Sequence, residues 1–193
     1  MTALFHSLQK AAARFARADD GATSLEFVIV FPVFFGFFLM TYESGMISTR
    51  HVMLERGVDV AIRDVRIGQI PNPSAEGLRT RICEVARIIP DCENQLEVEM
   101  VRRDPRAWVP LDADVECVNR GAETRPVVDF TNGDNNQLMI VRACVRIDPM
   151  LPTTGLGKAI VQSNNDDIAQ GSYALVTTTA FVVEPFRAEE DEE

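Results

Sequence analysis

Histidine is nearly absent from this sequence: His6 and His51 are the two imidazoles in 193 residues. Everything after residue 51 lacks one, which excludes a Ser-His-Asp triad or a histidine-rich zinc site in that part of the chain. Lysine is as scarce, with Lys10 and Lys158 alone among 19 basic residues. The other basic residues are arginines scattered among acids. A nucleic-acid partner needs a concentrated basic footprint and is therefore disfavoured. Gly155, Leu156, Gly157 and Lys158 lack the glycine spacing and the following hydroxyl residue of a phosphate loop, so they read as a turn. Asp112 with Asp114, and Asp166 with Asp167, match no EF-hand pattern and read as solvated surface. These absences point to no enzyme: no catalytic residue, metal or cofactor is expected.

Charge is missing from one stretch and crowded into another. Phe27 to Tyr42 contains no charged residue, whereas the rest of the chain is freely charged. Glu189, Glu190, Asp191, Glu192 and Glu193 form a self-repelling run with nothing apolar to bury, so residues 188–193 are expected to be a disordered acidic tail. That run supplies part of the formal net charge of -10. The length accommodates one modest domain plus one accessory segment.

The apolar run is that accessory segment. From Phe27 to Ile47, about 21 residues would give roughly 31 Å of helix, matching a hydrocarbon core of about 30 Å. Lys10, Arg14 and Arg17 flank its amino-terminal side, which the positive-inside rule keeps cytoplasmic. No small-residue site follows the run, as one would after a secretory signal core. Pro32 removes a backbone hydrogen bond and is expected to kink the helix, while Glu43 stands near its far end. A buried amphipathic core helix is the competing reading.

Beyond the run, Ile47, Leu54, Val58, Ala61 and Val65 recur at mostly helical spacing. Arg50, Glu55, Arg56, Asp59, Arg63 and Asp64 lie largely elsewhere, so an amphipathic helix continues the span. Gly68, then Pro71 and Pro73, should stop it. One long helix over 22–68 is expected, half in lipid over about 27–47 and half against a domain at 69–187.

Within that domain Ser74 can cap a helix carrying Leu78, Ile82, Val85 and Ile89, ended by Pro90. Gln95 to Val101 alternates strictly, with Gln95, Glu97 and Glu99 on a wet face. Further strands are expected near Asp112 to Asn119, Gln137 to Asp148 and Ser172 to Glu184. The last, apolar or threonine on both faces, suits a central strand. Asn132 to Asn136 reads as a turn. The class is α+β: a long amino-terminal helix packed on a small antiparallel sheet, with a second helix.

Cysteine is missing from the first 82 positions; Cys83, Cys92, Cys117 and Cys144 all follow the span. That distribution fits two disulfides in an oxidising compartment, against the alternative of four buried thiols in a cytosolic domain. Three pairings are possible. Cys83 with Cys92 and Cys117 with Cys144 are preferred. The second pair meets a difficulty of parity, since Cys117 alternates with Val115 and seats inward while Cys144 shares a face with Arg142 and Arg146.

One short motif is specific. Gly21, Ala22, Thr23, Ser24, Leu25, Glu26 and Phe27 form a Gly-x-x-x-x-Glu-Phe segment at the cytoplasmic edge of the apolar helix. Taken alone, Glu26 is also what an interfacial carboxylate at a helix start looks like. The segment resembles a prepilin processing site. With the basic leader, Glu26 to Pro32, and Glu43, Ser44 and Gly45 at the outer end, it is similar to the TadE-like (TadE and TadF) minor pseudopilins of the Tad, or Flp, type IV pilus system.

That resemblance implies a pilin-like subunit with a leader at 1–21, cut by a prepilin peptidase between Gly21 and Ala22, with Glu26 and Phe27 as its processing and assembly motif. It implies as partners that peptidase, other pilin and pseudopilin subunits, the inner-membrane assembly platform and membrane lipid. The location implied is the bacterial inner membrane, crossed once, with the carboxyl-terminal domain periplasmic or carried into an extracellular pilus used in adhesion. The alternative is an uncleaved, single-pass periplasmic binding or sensor protein.

Overall fold

The computed structural model describes residues 22–112, 115–121, 124–163 and 171–184. Gly21 and the leader, Asp114, Asp166, Asp167 and the acidic tail lie outside the described residues. The chain divides into two compact units, Met1–Thr41 and Tyr42–Glu193.

Helix α1, Ala22–Arg66, is 45 residues long and enters both units. In the first unit most of its described side chains are exposed, Phe27, Phe34 and Phe37 each by more than half. An 18-residue window of mean hydropathy 2.0 makes the helix long and apolar enough to cross a membrane. None of that window is buried in the protein, so the core-helix reading fails. Phe27, Phe31, Phe35 and Phe38 stack in series along one stripe, with ring centroids 5.0, 5.6 and 6.2 Å apart. Their spacing of four, four and three residues puts them on one face.

In the second unit α1 turns amphipathic and supplies Leu54, Val58, Ala61 and Ile62 to the core. Gly57 lets the next helix approach. A Cβ there would lie 2.8 Å from the Ile82 carbonyl oxygen. That neighbour belongs to α2, Ala75–Val85, whose first turn is capped by Ser74 Oγ accepting from Gly77 N at 3.0 Å. The helix stops at Val85 rather than at Pro90. Ala86 N still donates to Ile82 O, and Ile89 reaches the core from a turn instead of a further helical turn.

A four-residue helix α3, Cys92–Gln95, leads into β1, Leu96–Arg103. Strands β2, Leu138–Ile147, and β3, Tyr173–Val182, complete an antiparallel sheet of order β1-β2-β3, with Val98 opposite Ala143 and Ala143 opposite Thr177. One face, bearing Val98, Val141, Val145 and Leu175, joins the core with α1 and α2. The α+β class holds.

Three expectations about the sheet do not. Among the described residues there is no strand at 112–119, because that segment lies over the sheet as cover: Arg142 Nη1 donates to the Asp112 carbonyl at 2.6 Å, and Cys117 is bonded to Cys144 on β2. The central strand is β2; β3 is an edge strand, and its outward Thr178, Ala180 and Val182 are exposed. The expected wet face of β1 is also partly dry. Glu97 is buried, pairing with Arg79 and Arg125 at 3.3 Å each, and Glu99 meets Arg142 at 2.6 Å. Buried carboxylates persist when paired, and the cations here come from α2, from β2 and from the covering loop.

Gly155 to Lys158 is no turn but the start of α4, Gly155–Ser163. Gly157 there is buried, and a Cβ on it would meet the Leu151 carbonyl oxygen at 2.5 Å.

Candidate functional site

The two motifs singled out in the sequence fall in different units. In the first, α1 begins at Ala22, and Glu26 and Phe27 follow in its second turn, both exposed. Pro32 is accommodated within the same helix.

In the second unit Glu43 is fully buried. Both of its oxygens are used: Met150 N donates to Oε1 and Leu151 N to Oε2, each at 2.9 Å. These donors lie more than a hundred residues away in sequence, on the stretch between β2 and α4. A carboxylate accepting two backbone N–H groups has charge-assisted partners in place of the water lost on burial. Thr154 closes the stretch on itself, its hydroxyl donating to the Leu151 carbonyl at 2.8 Å while accepting from Gly157 N at 3.1 Å.

Two turns further along α1, Arg50 is also buried. Its Nη1 donates to the Asp148 carbonyl and to the Tyr173 hydroxyl, both at 3.3 Å. Burial pushes the Tyr173 phenol above its ordinary value, with the Arg50 bond pulling the other way. His51 beside it lies 3.1 Å from the Val176 carbonyl, on edge strand β3, and 3.8 Å from Glu55. Glu43, Arg50 and His51 therefore fasten α1 to both ends of the β2–β3 connection. The sequence reading placed Glu43 at a membrane edge and Arg50 on the polar side, and missed this fastening. The available signal was a Glu and an Arg seven residues apart on one helix face, too common to identify distant backbone partners.

Gly45 has no such partners; a Cβ there would meet nothing within 4 Å. The four cysteines are all bonded, Cys83 to Cys92 and Cys117 to Cys144. The parity difficulty dissolves because Cys117 sits on the covering loop rather than on a strand. No group of three or more His, Cys, Asp or Glu among the described residues is arranged to hold a metal.

An apolar helix that can cross a membrane, running on into a disulfide-bonded α+β unit, defines a membrane-anchored class of small domain. Residues 21–63 match the family model of the TadE-like proteins, the family that the Gly21 to Phe27 motif resembles. The match starts at the glycine and runs through Glu43, Arg50 and Gly57. Comparison with curated proteins gives no match, and comparison with solved structures gives none either.

Proposed function

We propose that this chain is a minor pseudopilin of a Tad pilus, made as a precursor and cut by a prepilin peptidase between Gly21 and Ala22. The observation that carries the reading is the TadE-like match at residues 21–63, whose first residue is the glycine of the processing motif. Cleavage would leave Glu26 fifth and Phe27 sixth in the mature chain. A carboxylate at the edge of an apolar helix needs a cationic partner, and the new amino terminus of a neighbouring subunit supplies one.

In this reading α1 packs laterally with other pilin helices. The unit beyond Tyr42 is displayed outside the cytoplasmic membrane, with the assembly platform and pilin subunits as partners. Intact mass of the membrane-purified protein, with and without the peptidase, tests it. A product beginning at Ala22 only where the peptidase is present supports processing; an unchanged precursor in both strains sinks it. Gly21→Leu should block the cut, whereas Glu26→Ala should allow the cut and lower pilus yield.

A further inference from the structure

We propose that the stretch Met150–Lys158, held by Glu43, is a second membrane contact, seated on the headgroup layer of the bilayer that α1 crosses. The proposal rests on the reading of α1 as a membrane span, and deepens it.

Depth is the first argument. The uncharged run Phe27–Tyr42 covers about 24 Å as helix, about 6 Å less than a hydrocarbon core of about 30 Å. The water boundary therefore falls at or beyond Glu43. Tyr42, exposed by 46 %, is a residue type that favours that boundary. Residues 44–49 are also uncharged, so charge does not resume on the helix until Arg50. An open carboxylate at this depth would face lipid at high cost. Here the carboxylate is covered by Met150 and Leu151, whose backbone N–H groups bond it. Whatever covers Glu43 shares its depth.

Chemistry is the second argument. In a chain of net charge -10, Pro149–Ser163 contains no acidic residue and holds Lys158, one of the two lysines. Met150 is exposed by 43 %, and Pro152 and Lys158 are also exposed. An apolar tip beside an ammonium, with the Glu43 carboxylate bonded to its main chain and the flanking Asp148 paired with Arg120, suits an anionic headgroup layer, where aliphatic groups dip below the phosphates and the ammonium meets them. Thr154 and Gly157 brace the tip from behind, so it is presented without an ordering cost at contact.

The test uses the full chain in nanodiscs of phosphatidylethanolamine and phosphatidylglycerol, with Trp108→Phe as background. Met150→Trp, and separately Pro152→Trp, should emit at shorter wavelength than a water-exposed indole and lose intensity to lipids brominated just below the headgroup. Iodide in the buffer should quench them weakly. Phe37→Trp reports on the anchor by itself, through lipids brominated deep in the chain. If Phe37→Trp is quenched while both tip variants emit and quench like free tryptophan, the second contact is wrong and the anchor stands. If Phe37→Trp also escapes lipid quenching, both ideas fall. A tip emission that is blue-shifted, insensitive to bromination and dependent on protein density would assign the patch to a second copy of this chain and overturn the proposal.

Discussion

Glu43 ties α1 to the main chain after β2 through two backbone N–H groups. Its two N–H partners are fixed parts of the main chain and cannot turn away, so Glu43→Ala leaves both without their acceptor. Charge-assisted bonds contribute about 1.5–3 kcal/mol each, and losing both in Glu43→Ala should lower stability by roughly 3–6 kcal/mol in urea unfolding of the detergent-solubilised chain. Glu43→Asp, a methylene shorter, should not restore it. Tyr173 gives a pH signature. Its phenol ionises less readily in the fold than in the unfolded chain, so the folded state holds the proton more tightly. The associated stability is fully present below the ordinary tyrosine value near pH 10 and falls as pH rises through the higher folded value. Tyr173→Phe should flatten that alkaline fall, and thermal unfolding across pH 8 to 11 checks it.

Among the elements, α1 was the most legible from sequence and the sheet the least. Long periodic segments announce themselves: Leu54, Val58 and Ala61 mark the buried stripe, and Phe27 to Tyr42 mark the exposed one. Strand content was over-read at Asp112 to Asn119 because alternation of Val115 and Cys117 looks the same on a covering loop as on a strand. Burial of Glu97 was unreadable because a carboxylate on an alternating strand signals water unless its cations are known. Those cations come from Arg79 on α2 and Arg125 on the loop, 18 and 28 residues away. Gly57 carries a prediction for helix packing. Gly57→Val would drive a side chain into the α2 backbone at Ile82, and overpacking of this kind costs about 1–3 kcal/mol. The melting temperature should drop, while Gly45→Ala, with open space around it, should leave it near the parent value.

For the molecule as a whole, the bridges decide how well the second unit survives. They close loops of separation 9 and 27, and the chain-entropy model assigns about 2.5 and about 3.5 kcal/mol to them. Cys117→Ser with Cys144→Ser should therefore lower stability more than Cys83→Ser with Cys92→Ser, as read by urea midpoints under oxidising conditions. The first pair also releases the loop that covers Glu97, Glu99 and Arg142, so its loss should speed proteolysis within 104–130, measured by mapping the cuts.

The order of those pairings has a consequence for biogenesis. The four thiols are joined first to second and third to fourth along the chain. A polypeptide delivered across a membrane from its amino-terminal side presents them in that order. Each partner is then the next thiol to arrive, so an oxidase that joins cysteines as they emerge makes the native set with no shuffling. Cells lacking a disulfide isomerase should accumulate the same oxidised form as cells that have one, seen as one band on non-reducing gels. Mispaired forms confined to the isomerase-deficient strain would show that oxidation waits until the whole chain has crossed.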